Sequence, residues 1–244
     1  MAKSSGLGAN IYVGGYDLSG DVGAVNTIRG GNTPLTVTGI NKSAIERIGG
    51  LRDGGIDYMS YFNDASLQEH VALSPLPRTD QIVTYCHGTT LGNPAACMVG
   101  KQINYDGTRA ADGSLTLAIQ AQSNGYGLEW GRQLTAGKRT DTTATNGASI
   151  DTSASLSFGG QAYLQSFAVT GTSFTATIED SANDSAWTAV AGFAFTGATG
   201  ITTQRIALAN TATIRRYIRV VTTGTFTAAV FNVVVIKNEI AVVF

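Results

Sequence analysis

Two cysteines, four prolines and two histidines are few for a chain of 244 residues. Two cysteines cannot build a disulfide scaffold, so the fold must be held by burial. Charge is sparse as well: 14% of residues are charged, and 16 basic against 17 acidic side chains leave a net charge of -1. Such a balance supplies no broad cationic surface for gripping nucleic acid or an anionic membrane. No apolar run reaches the roughly 18 to 20 residues of a membrane helix, and the opening MAKSSGLGAN lacks the apolar stretch of a signal peptide. The expectation is a soluble chain made in a cytoplasm, with no membrane partner. In that compartment Cys86 and Cys97 stay as thiols, and the sequons at Asn41 and Asn183 carry no sugar.

The shortage of histidine bears on catalysis. General acid–base chemistry needs a group that titrates near neutrality, and only His70 and His87 offer one. Cys86 and His87 are neighbours in an expected strand, so they point to opposite faces and form neither a nucleophile–base pair nor a shared metal site. The run EDSANDS sets Glu179, Asp180 and Asp184 around a turn but lacks the position pattern of a calcium loop, and reads as a solvated turn. Paired glycines at 14–15, 30–31, 49–50 and 54–55 open no phosphate-binding motif and read as turn formers. The expectation is a non-enzyme with no catalytic residue, cofactor or metal.

What the chain does have is an apolar fraction of 43%, 30 glycines and strong two-residue alternation. It reads as mainly β. Strands are expected at 10–13, 35–40, 56–63, 81–87, 96–105, 115–122 and 128–133, most of them separated by glycine-rich or Asp-Gly turns. If HGTTLGNPAA turns at Leu91-Gly92, Cys86 and Cys97 face each other across a hairpin. Two short helices are expected: one started by Ser43 with Glu46 at capping-box spacing, the other, 65–73, capped by Asp64. The stretch 14–34 is too polar for a core strand and too long for a turn, and reads as a loop that serves a partner. Residues 135–156 carry small and polar side chains and read as a linker between domains 1–134 and 157–244. Residues 151–244 hold 16 threonines against only 10 charged residues, a composition that favours extended backbone with a wet outer face. About six strands there, at 162–169, 174–178, 186–195, 206–208, 214–221 and 226–236, argue for a β-sandwich. In IRRYIRV, alternation puts Arg215, Tyr217 and Arg219 on one face. That face suits a glycan or an acidic protein, and equally suits ordinary packing of arginine stems on a sheet.

Two segments carry a family resemblance. GGYDLSG, with Asp17, Leu18, Ser19 and Gly20, and LTVTGINKSAIERIGGLRDGGIDYMSYFND, with Val37, Thr38, Ile48, Gly50, Leu51, Asp53, Gly54, Phe62 and Asp64, resemble the major tail tube proteins of long-tailed bacteriophages. Thr36 stands where that family carries an acidic residue, and Gly49 where it carries a proline. The resemblance covers roughly residues 10–133. It implies a β-sandwich whose strands join those of five neighbours in a barrel around a lumen, with rings of six stacked into a tube that passes DNA without binding it specifically. It implies a virion tail location, assembly in the host cytoplasm, and tape-measure, tail terminator and tail-tip proteins as partners.

On that scheme Tyr16, Asp17, Leu18, Asp21 and Arg29 become candidates for the ring-to-ring contact. Leu67, Glu69 and His70 become candidates for packing between subunits. Asp57, Thr116, Gln120 and Gln122 are assigned to the lumen wall by alternation. A polar wall suits passage, because inward-facing Lys or Arg would grip phosphate. The second domain faintly resembles galactose-binding-like, discoidin-type sandwiches among phage decorations, an immunoglobulin-like sandwich or jelly roll outside the tube. The terminal EIAVVF is apolar enough to pack on a neighbour. A capsid decoration protein and a glycan-binding surface module are the alternative functions.

Overall fold

The computed structural model describes residues 5–242. In chain order the strands are β1 (Asn10–Val13), β2 (Tyr16–Asp17), β3 (Val22–Thr36), β4 (Arg47–Tyr61), β5 (Gln81–Cys86), β6 (Pro94–Gln102), β7 (Asp106–Arg109), β8 (Leu115–Ser123) and β9 (Glu129–Gln133). They continue with β10 (Arg139–Asp141), β11 (Ile150–Asp151), β12 (Gly160–Ser181), β13 (Thr188–Ala194), β14 (Thr202–Ala207) and β15 (Tyr217–Lys237). The helix α1 (Glu69–Leu73) lies between β4 and β5. The mainly-β expectation holds, and every strand pairing is antiparallel.

The first half packs two layers. One runs β2-β1-β5-β6-β9, the other β3-β4-β8-β7. Their inner faces alternate as the sequence does: Ile11, Val13, Val83, Ala96 and Met98 meet Ile56, Tyr58, Leu117, Ile119 and Ala121 in one buried cluster. The layers join at a corner where the end of β6 pairs with β8, Gly100 opposite Ser123. A Cβ at Gly100 would come within 2.6 Å of the Gln122 carbonyl, so only glycine lets the strand cross there.

The second half is organised by one long ribbon. β12 and β15 pair along their whole lengths, and the register slips around Gly171. Gly171 and Gly224, at φ 131° and 124°, lie in a region closed to most side chains. The bulged corner lets each strand bend without leaving the ladder, so the ribbon folds back and both of its halves feed one core. Ala162, Leu164, Val233 and Val235 from one half meet Phe174, Ala176, Ile178 and Val220 from the other. The expected strands 162–169 and 174–178 are thus one strand, as are 214–221 and 226–236, because a glycine bend resembles a turn in sequence. β14 and β13 flank the two halves of β12.

A third cluster closes the seam between the halves. Tyr12, Ile82, Cys86, Ala95, Cys97 and Val99, on the outer face of the first layer, pack against Tyr163, Phe167 and Val234. Gln165 stitches the seam: its amide donates to the Ile82 carbonyl (2.9 Å) and to Thr84 Oγ1 (3.1 Å), and its Oε1 accepts the Gly15 N–H (2.8 Å). Arg205 pairs with the buried Glu129 at 3.1 Å, Tyr163 hydrogen-bonds the same carboxylate, and the guanidinium lies 3.8 Å from the Tyr126 ring centroid.

Several expectations change. Residues 135–156 are no free linker: β10 and β11 both pair with β15, and Leu134 and Ile150 enter the second core. Small polar side chains serve there as internal partners, as when the buried Thr135 hydroxyl donates to the Gly137 carbonyl and accepts from Asn232. The stretch 14–34 is mostly strand, β2 and most of β3. No helix follows Ser43; Val37 N–H donates to the Glu46 carbonyl and Glu46 N–H to Thr38 Oγ1, forming a hairpin tip. Strand 35–40 accordingly ends at Thr36. Asp64 caps nothing, and α1 is only five residues long. The first helical N–H, that of Glu69, is taken instead by Asp21 Oδ2 at 3.1 Å. Cys86 lies opposite Ala95 and Cys97 opposite Thr84, so the two cysteines are diagonal and not paired. Both are buried free thiols, and burial pushes Cys86 up to about 12. Of EIAVVF, residues 243–244 lie outside the described residues, and Val242 hydrogen-bonds Asn210.

Candidate assembly surface

β3 and β4 share a register from Val22↔Ser60 to Thr36↔Arg47, but only their inner parts belong to the sandwich. Beyond Gly30↔Gly54 the pair runs on as a two-stranded arm whose residues 31–53 are exposed, Gly50 alone being half-buried. Two glycines form its root: a Cβ at Gly54 would meet the Leu128 backbone N at 2.6 Å, and one at Gly30 would meet Leu128 Cβ at 3.0 Å. Leu128 therefore wedges the base of the arm. Leu35, Val37, Ile40, Ile45, Ile48 and Leu51 are all large, apolar and exposed on it, Leu51 at 86%. Leu35 and Ile48 face each other across the ribbon. A two-stranded ribbon is marginal in water, and clustered exposed apolar residues mark a contact surface.

The residues assigned to a polar wall do share one face. Asp57 lies opposite Gln120, Tyr61 opposite Thr116 and Gly55 opposite Gln122, on the side away from Ile56, Tyr58 and Ile119. Arg29 crosses β4 above Gly55 and binds Asp57 at 2.6 Å, so this face carries a neutralised pair. Arg29 thus belongs with the wall residues and not with Tyr16 and Asp17, which form β2.

The other contact candidates divide. Leu18 is fully buried in the first core, and Asp21 is buried, binding Asn63 and the start of α1, so neither is open to a neighbour. Asp17 organises the DLSG turn, accepting the Ser19 N–H and hydroxyl, and pairs with Lys138 at 2.5 Å. On the helical segment, Glu69 is fully buried and accepts hydroxyl hydrogen bonds from Ser60 (2.8 Å) and Tyr105 (3.0 Å). Burial raises its carboxyl above the ordinary range, against the pull of these hydroxyls and of His70. His70 Nδ1 lies 2.9 Å from the Tyr105 hydroxyl, and its ring packs on Phe62. Leu67, at φ 65°, is half exposed.

The arginine face is largely spoken for. Arg215 binds Asp180 at 2.5 Å; Arg219 binds Glu179 at 2.7 Å and lies 4.3 Å from the Trp187 ring centroid. Arg216 pairs with Asp151 at 2.6 Å, holding that carboxyl down to about 2, and covers the half-buried Tyr217. Of the carboxylates in EDSANDS, Glu179 and Asp180 are thus arginine partners, and Asp184 accepts the Ser149 hydroxyl at 2.7 Å. Cross-strand pairing of Glu179 with Arg219 was hidden by the 40 residues between them. Among the described residues no group of three or more His, Cys, Asp or Glu is placed to hold a metal ion. Nor is any helix long and apolar enough to cross a membrane.

No family model matches the sequence, and no curated protein matches it. Among solved structures, a chain from the tail of an empty GTA particle refined with C6 symmetry is similar at 15% identity and a TM-score of 0.42, covering 52% of this chain and 98% of that one. The Dit protein of phage SPP1 is similar at 11% identity and TM-score 0.32, over 94% and 99%. A chain of the phage p2 baseplate in its activated conformation is similar at 8% identity and TM-score 0.35, over 96% and 99%. At these scores the likenesses leave the role of the chain to its own residues.

Proposed function

We propose that this chain is a structural subunit of a phage tail, assembling into rings of six that stack around a lumen through which DNA passes. The observation that carries this reading is the bare arm of β3 and β4, because an exposed ribbon with six large apolar side chains is satisfied by docking on another copy. The two segments that resemble tail tube proteins fit the same scheme. DLSG forms the clasp in which Ser19 Oγ accepts the Ile11 N–H at 3.1 Å, and the second segment spans most of the arm. The face of Asp57, Thr116, Gln120 and Gln122 suits a lumen wall, since its one arginine is bound to Asp57 and leaves phosphate little to hold. Tyr16, Asp17 and Leu67 remain candidates for contacts between copies. Tape-measure, tail terminator and tail-tip proteins would be the further partners, and the virion tail the location. No catalytic role is proposed.

The test is electron microscopy of the purified full-length protein in negative stain. Rings or hollow rods are expected. A variant in which an Asn-Gly turn replaces residues 31–53, joining Gly30 to Gly54, should keep its circular dichroism and remain monomeric. Monomers from the intact chain under all conditions tried, or rods formed without the arm, would overturn the reading. Binding to capsid lattices without tubes would favour a decoration protein.

A further inference from the structure

β9 has two different faces. Glu129 and Gln133 turn into the buried seam, while Trp130 and Arg132 turn away from it. Trp130 stands opposite Ala96 in the ladder, yet its indole is 53% exposed. A large ring left half in water on a regular strand is unusual enough to ask what it faces. It faces a groove of about 310 Å³, at the lower end of the roughly 300–1,000 Å³ typical of small-molecule sites. The floor is apolar, made by Ile218, Val235 and Gly131; a Cβ at Gly131 would run to 2.4 Å from the Val235 carbonyl, so the floor is kept flat. The far wall is Thr152 and Leu156.

That wall is fixed in place. Lys237 Nζ donates to Thr152 Oγ1 (2.7 Å), to the Ala154 carbonyl (2.7 Å) and to the Arg215 carbonyl (2.9 Å), so the segment is tied to β15. Arg132 spends one N–H on the Gly92 carbonyl at 3.3 Å, which holds the guanidinium at the rim with other donors to offer. The exposed Glu239 adds an acceptor. The groove therefore combines one aromatic face, an apolar floor, and donors and acceptors around the edge.

A sugar ring has matching chemistry: one face of C–H bonds and a rim of hydroxyls that both donate and accept. A flat apolar ligand would leave the Arg132 and Glu239 rim without partners, and a phosphate would meet the Glu239 carboxylate. We propose that the groove between Trp130 and Leu156 binds a pyranose ring of a saccharide, stacked on the indole and hydrogen-bonded by Arg132 and Glu239. The site is separate from the arm and from the Arg215 face, and does not rest on assembly into rings.

The chain has two tryptophans, so Trp187→Phe leaves Trp130 as the only indole reporter. That variant is titrated in fluorescence with glucose, galactose, rhamnose and N-acetylglucosamine, and then with the N-acetylglucosamine trimer. A saturable change is expected with at least one of them at a Kd of about 0.1–10 mM. Saturation-transfer NMR on the wild-type chain should show the same sugar bound, at least about tenfold more weakly after Trp130→Ala and severalfold more weakly after Glu239→Gln. Tighter binding of the trimer would identify a polysaccharide chain as the source, and equal binding a free monosaccharide. No response in either measurement, or binding unchanged by Trp130→Ala, would overturn the proposal. Should Trp187→Phe fail to fold, the NMR comparison decides alone.

Discussion

The molecule contains two long antiparallel ribbons with opposite fates. The β12–β15 ribbon bends at Gly171 and Gly224, folds onto itself and makes its own core. The β3–β4 arm is built from similar materials, with glycines at 30, 31, 49, 50 and 54, yet stays extended and bare beyond its root. The difference lies in where apolar side chains sit relative to the glycines. In the first ribbon Phe174 and Phe226 flank the corner and meet edge to face across it, with ring centroids 6.1 Å apart. In the arm the register also slips, between Asn32 and Pro34, but its apolar residues stay exposed and close on no core. The first ribbon turns on itself and becomes a core; the arm does not, and keeps its apolar side chains exposed.

Substitutions that exchange the two situations test this contrast. The largest effect is expected from Gly224→Val, whose Cβ would meet the Ser173 carbonyl at 2.4 Å in a backbone conformation at φ 124°. That variant should show no cooperative thermal unfolding. Gly31→Val has the same kind of backbone, at φ 136°, but open space around it. It should cost about 1–3 kcal/mol of local strain, confined to the arm, and leave the global thermal midpoint unchanged.

Next in size is the core of the folded ribbon. Phe174→Ala should destabilise the unassembled subunit by about 3–5 kcal/mol in urea titration, whereas Leu51→Ala in the arm should change it by less than about 0.5 kcal/mol and instead reduce rod formation. At the seam, Glu129→Ala removes the buried carboxylate that Arg205 and Tyr163 share, for an expected loss of about 3–5 kcal/mol that Arg205→Met in the same chain should largely restore. A double-mutant cycle measures this.

The smallest effect concerns Glu69. Its folded pKa is raised, so the carboxyl's favourable contribution is complete below the ordinary carboxylate range and fades as pH rises through the raised value. Glu69→Gln should flatten the dependence of the thermal midpoint on pH above the ordinary carboxylate range. A pH profile parallel to that of the wild type would remove Glu69 as its source.

The sequence made some of this legible and hid the rest for physical reasons. Strands β8 and β9 follow from two-residue alternation because each has one buried face, as Leu117, Ile119 and Ala121 show in β8, whereas β1 and β5 are short apolar runs buried on both faces. The arm escaped because both of its faces meet solvent, which removes the alternation, and its glycines then read as loop. The stretch 135–156 escaped because its pairing partner is β15, about 80 residues further on, and because threonines there bond inward. The polar face of Asp57, Thr116 and Gln120 could be read from alternation alone. The hydrogen bond from the Glu69 N–H to Asp21 could not, since it joins the turn before β3 to the start of α1, 48 residues apart in the chain.

One property of β15 reaches into how the chain is made. Four other strands, β9, β10, β11 and β12, find their partner in this one late segment. Until it has left the ribosome, the first half can close its sandwich but must hold Tyr12, Ile82 and Cys97 open to water. The nascent chain therefore carries a sticky flank until β15 emerges, at a time when identical chains crowd the same messenger.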